Sequence, residues 1–168
     1  MKALWSLEAA CKQRRLWKKE GQRVVFTNGC FDLLHPGHIT YLQDARDLGD
    51  VLIVGLNEDA SIQRLKGSSR PINPLRDRAC MIAALRSVDR VVAFSEDTPL
   101  KLITNLMPDI LVKGGDYTVE SIVGAKEVMQ SGGEVRVIPF LEGYSSTRLI
   151  QRIQEKNYSM QGNHMNND

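Results

Sequence analysis

The sequence predicts an α/β fold: a single domain with a doubly wound, five-stranded parallel sheet. Three observations predict it. Five short Val/Ile/Leu runs are continuous rather than alternating, as in strands covered on both faces. Stretches with helical spacing separate these runs, and the links are short. The chain's 168 residues, 42% apolar and 25% charged, suit one globular domain with a sizeable core, without internal repeats or linkers.

Each element follows from local chemistry. In the N-terminal segment 1–22, residues 4–20 form a basic helix with Leu4, Leu7, Ala10, Cys11 and Leu16 toward one side. RVVFTN (23–28) is the first strand. Ile39, Leu42, Ala45 and Leu48 recur at helical intervals over 37–48, and Gly49 stops that helix. DVLIVGL (50–56) is the second strand, and Asn57 caps the helix of NEDASIQRL. After the polar loop KGSSRPIN, Asn73 caps a helix that has Pro74 in its first turn and runs to about Ser87. RVVAF (90–94) is the third strand; Thr98-Pro99 opens a helix that Pro108 closes. DILVKG (109–114) is the fourth strand, 119–130 a helix closed by Gly132-Gly133, and EVRVIPF (134–140) the fifth strand. The last helix starts near Ser146 and ends near Lys156. The domain thus spans 23–156, and the polar tail 157–168 is expected to fray.

Net charge is +2, from 22 basic and 20 acidic residues, which is too balanced for a nucleic-acid partner but compatible with a small anion. Cys11, Cys30 and Cys80 are odd in number and read as reduced thiols of a cytoplasmic protein. No run has signal-peptide length, and none approaches the ~20 apolar residues of a membrane span. The expectation is a soluble, cytoplasmic protein without membrane contact.

In such sheets ligands lie beyond the carboxyl ends of the strands, where strand order reverses. The loop after the first strand reads NGCFDLLHPGHI, Asn28 to Ile39. A helix starting near Gly37 points free N–H groups and its positive end at that loop, which suits a phosphate. Gly37 lets the phosphate come close, and Pro36 fixes the turn. His35 and His38 add two N–H donors that can stabilise charge developing on phosphorus. A plain surface turn is the bland alternative. A metal site is another, but only Asp32 lies near to complete a ligand set. The late stretch GYSSTRLI (143–150) places Ser145, Ser146 and Thr147 at a helix entrance, with hydroxyls and N–H groups for a polyphosphate. Arg148 adds a cation. No G-x-G-x-x-G follows the first strand, which argues against a hydride-transferring dinucleotide enzyme.

NGCFDLLHPGHI resembles the HxGH motif of the nucleotidyltransferase superfamily, and GYSSTRLI resembles its second motif. RLKGSSRPINPLRDR (64–78), DILVKGGDY (109–117) and the stretch from GGEV to GYSST narrow the resemblance. They are similar to the bacterial heptose 1-phosphate adenylyltransferases, in the form that stands alone rather than behind a sugar kinase. The resemblance covers about Leu7 to about Gln154. It implies a Rossmann-like nucleotidyltransferase fold and transfer of AMP from ATP to heptose 1-phosphate. Pyrophosphate is released, and the product feeds lipopolysaccharide, capsule or surface-layer glycans. Mg²⁺ is expected on the ATP phosphates rather than in a protein cage.

The resemblance also implies roles by position. His35 and His38 steady the α-phosphate. Thr27, Asn28, Gly29, Cys30 and Phe31 line the nucleotide pocket, and Asp32 orients the loop or meets substrate. Lys66 meets phosphates from a mobile lid with Gly67, Ser68, Ser69 and Arg70; a solvated loop lysine is the alternative. Arg78 matches a superfamily arginine that contacts phosphate or substrate, against a plain helix-surface charge. Lys113, Gly114 and Asp116 contact nucleotide or substrate, and Tyr144 packs. Ser146 stands where relatives often carry threonine and keeps the hydroxyl. Residue chemistry leaves two alternatives open: a CTP-dependent transferase acting on an alcohol phosphate such as glycerol 3-phosphate, and a non-catalytic nucleotide-binding domain. The apolar side of the N-terminal helix offers a contact for a homo-oligomer, a dimer or larger.

Overall fold

Val24, Val25 and Phe26 are fully buried, and the strand that holds them is the centre of the fold. The computed structural model describes residues 4–164. Strands β1 to β6 are Leu4–Trp5, Val24–Gly29, Val51–Asn57, Arg90–Phe94, Ile110–Gly114 and Glu134–Ile138. Helices α1 to α7 are Leu7–Lys19, Pro36–Arg46, Asp59–Lys66, Leu75–Ala83, Leu100–Leu106, Ala125–Gln130 and Ser146–His164. The strands are all parallel, in the order β1-β4-β3-β2-β5-β6. Among the described residues, no helix is long and apolar enough to cross a membrane.

The sheet therefore has six strands where the sequence predicts five. The additional one is β1, whose two residues pair with Val91 and Val92. Sequence reading placed them in the first helix. Ser6 is extended instead, and its hydroxyl accepts the N–H of Ala9, so the helix begins after it. Trp5 then lies at the sheet edge, stacked on Trp17, with the Arg90 guanidinium 4.4 Å from its ring centre.

Both faces are covered, as the continuous apolar runs require. Phe26, Ile53, Val92 and Leu111 face the layer of α1, α5 and α6, against Trp17, Ile103, Leu106 and Val128. Val25, Leu52, Val54 and Ile110 face the other layer, against Leu42 and Ala45 of α2 and Ile82 of α4. Burying each such side chain is worth roughly 1.5–3 kcal/mol. Ala10 and Trp17 of α1 are inside this core, so much of the apolar side offered for a dimer packs within the chain itself.

Smaller differences have local causes. Asn57 ends β3, paired with Phe94, rather than capping α3; Glu58 holds the cap position. Pro74, not Asn73, is the cap of α4, because Asn73 is bound elsewhere, and α4 ends at Ala83. The helix expected over 119–130 is split into a 3₁₀ turn, Val119–Ser121, and α6. Gly124 sits between them at φ 87°, and a Cβ there would lie 2.8 Å from Ile103. The last helix runs past Lys156 to His164, into the segment expected to fray, while 165–168 lie outside the described residues.

From β2 the chain winds outward through β3 and β4 on one side and continues through β5 and β6 on the other. Strand order thus reverses between β2 and β5. The crevice at their carboxyl ends is bordered by the loop after Gly29 and the turn after Gly114.

Candidate active site

The loop leaving β2 is shaped by aromatic packing on glycine. Phe31 is buried with φ 44°, in the left-handed region, and its ring lies over Gly29. A Cβ on Gly29 would come 2.8 Å from that ring, so any larger residue there would displace it. Phe31 in turn props His38, with ring centres 5.2 Å apart. His35 occupies the cap position of α2 in extended conformation, and Pro36 opens the helix. The rings of His35 and His38 stack at 3.7 Å, 20° from parallel. Gly37 is buried between them, and a Cβ there would press on the His35 ring at 3.1 Å and on Tyr144 at 3.2 Å.

Burial, the His35 ring and the Lys66 ammonium together push the His38 pKa from 6.5 down to about 4. Burial also lowers that of His35. The Nδ1 atoms of both rings are buried and lack a hydrogen-bond partner. Because the folded-state pKa of His38 lies below its ordinary value, its contribution to stability is complete above about pH 6.5 and declines as pH falls toward 4. Urea midpoints taken between pH 7 and pH 4 should fall accordingly, and His38→Asn should flatten that part of the profile.

Two adjoining cavities open at the crevice, of about 220 and 250 Å³. They share His38, Tyr41, Lys66, Phe140 and Ser146. The first is walled by Asn28, Gly29, Cys30 and Phe31 from β2 and its loop, and by Lys113 and Gly114 of β5. Lys113 is largely buried, which lowers its pKa, and its ammonium lies 3.5 Å from Asn28 Oδ1. The second cavity takes in His35 and Gly37 at the entrance of α2, and Ser145, Ser146 and Thr147 at the entrance of α7. Two helix N-termini and a pair of imidazoles therefore face one space, the donor set an anion requires. Ser146 donates to the Leu33 carbonyl at 3.3 Å, and Ser145 accepts the Arg148 N–H at 3.1 Å.

Some expected residues lie elsewhere. Thr27 is fully buried below the pocket, its hydroxyl 2.5 Å from that of Tyr41. It positions Tyr41, whose phenol burial pushes up to about 12, rather than lining the cleft. Arg78 is not a surface charge, and it lines neither cavity. It is fully buried and donates to the carbonyls of Cys30, Asn57 and Asn73 and to the Asp59 carboxylate. Asp116 and Arg148 are exposed and line neither cavity. Tyr144, expected only to pack, lines the second cavity and stacks on His35 at 6.3 Å.

Asp32 ties the loop after α3 to the turn that leaves β2. One carboxylate oxygen accepts from Arg70 Nε at 2.7 Å and the Ile72 N–H at 2.8 Å; the other accepts the Asn73 N–H at 2.8 Å. Burial alone would raise its pKa. The Asn73 and Ile72 donors and the Arg70 guanidinium outweigh burial and hold the carboxyl below the usual range. Asp32→Asn should lower stability by roughly 1–3 kcal/mol, seen as a lower urea midpoint with unchanged slope. With its oxygens so committed, Asp32 is a poor metal ligand. Among the described residues, no group of three His, Cys, Asp or Glu side chains is placed to hold a metal ion.

Sequence reasoning missed Tyr41, Tyr117 and Phe140 as cavity walls. Phe140 carried a faint signal, as an aromatic residue just before the GYSST stretch; Tyr41 looked like one more residue of an amphipathic helix.

The chain is similar to proteins of known sequence and structure. A family model described as cytidylyltransferase-like matches residues 26–152. The bifunctional protein HldE of Proteus mirabilis is 57% identical over 141 residues, which cover 84% of this chain and 30% of that protein. HldE of Escherichia coli K12 is 56% identical over 138 residues, 82% of this chain and 29% of that one. This chain thus spans about 30% of the length of these curated relatives. Among solved structures, a lipopolysaccharide core biosynthesis protein from Thermoplasma volcanium superposes with a TM-score of 0.59 at 31% identity, over 74% of this chain and all of that one. A pantoate-beta-alanine ligase from Francisella tularensis, at 19% identity and TM-score 0.58, covers 92% of this chain and 76% of its own and shares the fold. With its family model spanning the whole region from β2 into α7, this chain belongs to the cytidylyltransferase-like family.

Proposed function

We propose that this chain is an adenylyltransferase that moves AMP from ATP to the anomeric phosphate of a heptose 1-phosphate, giving ADP-heptose and pyrophosphate. One observation supports it above the others: the stacked pair His35 and His38 lies where two helix entrances and Lys66 meet. The high identity to HldE proteins and the likeness to a lipopolysaccharide core biosynthesis protein support the acceptor and the role in surface-glycan precursor synthesis.

The chemistry needs no protein nucleophile. A phosphate oxygen of the sugar attacks the α-phosphorus in line, the α–β bond breaks, and pyrophosphate leaves from the opposite side. The protein positions two mutually repelling anions and neutralises the charge that develops. His38, held neutral at physiological pH by burial, His35 and Lys66, would serve as an N–H donor rather than a fixed cation. Ser145, Ser146, Thr147 and the N–H groups of α7 would hold the leaving phosphates, with Lys66 reaching over from the end of α3. Mg²⁺ would enter as part of MgATP, neutralising the phosphates that carry it. The protein would work in the cytoplasm, where ATP is supplied, and as a homo-oligomer, which light scattering in solution would test.

The decisive assay crosses four nucleoside triphosphates with α- and β-heptose 1-phosphate and reads pyrophosphate release. Release with ATP and one heptose anomer is expected. Release only with CTP and an alcohol phosphate, or binding without turnover, would overturn the proposal.

A further inference from the structure

Phe140 is 64% exposed, more than any other large apolar side chain among the described residues. Its ring is nevertheless held in place. It lies against the backbone of Gly114 and Gly115, where added Cβ atoms would come within 2.6 and 2.8 Å of it. Gly115 also has φ 115°, which side-chain-bearing residues rarely adopt. The glycine pair at the end of β5 thus makes a flat seat for an aromatic ring. That ring contributes little to the core, yet it borders both cavities. On one side are His35, Gly37 and the entrance of α7, while His38, Tyr41, Lys66 and Ser146 border both spaces. On the other are Asn28, Lys113 and Arg70, with the Tyr117 ring beside them. The space with the two helix entrances suits a triphosphate. The space beside Asn28 offers the Lys113 ammonium for one phosphate and the Tyr117 ring as an aromatic face for a sugar.

We propose that Phe140 is a positioning residue that walls the nucleotide space from the acceptor space and keeps water off the α-phosphorus, and that Gly114-Gly115 is its seat. The proposal rests on the adenylyl-transfer reading. In a leaking site, a water oxygen would attack the α-phosphorus. The α–β bond would break, pyrophosphate would leave, the water proton would pass to solvent, and AMP would form in place of ADP-heptose. An apolar wall that fixes the acceptor favours the sugar phosphate over water.

The test measures AMP and ADP-heptose formed together by the unmodified chain, Phe140→Ala, Phe140→Tyr and Gly114→Ala. Phe140→Ala should raise the AMP share and the acceptor KM on the order of tenfold or more, with MgATP binding little changed. Phe140→Tyr should restore both, because the ring remains. Gly114→Ala, which unseats the ring, should leak like Phe140→Ala. A merely structural role would lower the melting temperature without changing the product ratio. An unchanged ratio and acceptor KM in Phe140→Ala would overturn the wall. If the unmodified chain forms no nucleotide sugar, the proposed function fails, and calorimetry still decides the wall. Pyrophosphate and heptose 1-phosphate binding together, with only the latter weakened in Phe140→Ala, would support it; mutual exclusion or absent sugar-phosphate binding would overturn it.

Discussion

Replacing either His35 or His38 with alanine should lower turnover on the order of 10²–10³-fold or more and leave the fold in place, because each removes a donor aimed at developing charge. The expectation of an intact fold has a structural basis. Neither ring sits in the apolar core clusters, and the Nδ1 atom of each lacks a partner. The loop is instead held by Phe31 on Gly29 and by the Ser146 contact to Leu33. Steady-state kinetics and a thermal melt on each variant check the point. The loss should fall on kcat, with ATP binding weakened less, since the interaction tightens in the transition state. A variant with near-wild-type turnover would remove the histidines from the chemistry.

Loss of Arg78 should be a stability effect before it is anything else. Its guanidinium is buried and joins four segments: the β2 loop through Cys30, the end of β3 through Asn57, the loop between α3 and α4 through Asn73, and α3 through Asp59. Arg78→Met leaves three carbonyls and a carboxylate short of a donor. Because Asp59 is partly exposed, the cost comes chiefly from the carbonyls left without a donor, on the order of 3–5 kcal/mol in all at roughly 1–3 kcal/mol for each unsatisfied buried group. For a domain of this size, that shifts the melting temperature by about 10 °C. Arg78→Lys should recover little, since one ammonium cannot serve four acceptors held in a planar fork. Turnover should fall with the population of folded, ordered sites. If Arg78→Met instead melted normally and bound ATP poorly, the arginine would be a ligand contact after all.

The fold was readable because the sheet is buried on both faces. Runs such as VLIV in β3 are unambiguous when no strand face meets water. β1 escaped notice because two residues make no pattern, and only Ser6 marks the boundary. The HPGH turn was readable for a different reason: Pro36 at the first helical position, followed by Gly37, marks a helix entrance, and the histidines flank them. Arg78 was not. A charged residue in a helix is usually solvated, and nothing within α4 reveals that Cys30, Asn57 and Asn73 turn their carbonyls toward it. Thr27 was misplaced by one side of the strand. The alternation along β2 sends its hydroxyl under the pocket to Tyr41, whereas Asn28 reaches Lys113. Phe140 and Tyr41 meet the cleft only through long-range packing, which local spacing does not encode.

The central claim is that the α-phosphorus of ATP comes to rest beside the two imidazoles, between the entrances of α2 and α7. A crystal structure with a non-hydrolysable ATP analogue and Mg²⁺ tests it most directly. The expected result is ring nitrogens of His35 and His38 within hydrogen-bonding reach, about 3 Å, of α-phosphate oxygens, with the outer phosphates against Ser145–Thr147. An α-phosphorus seated away from both rings, or rings turned to bond within the protein, would contradict it.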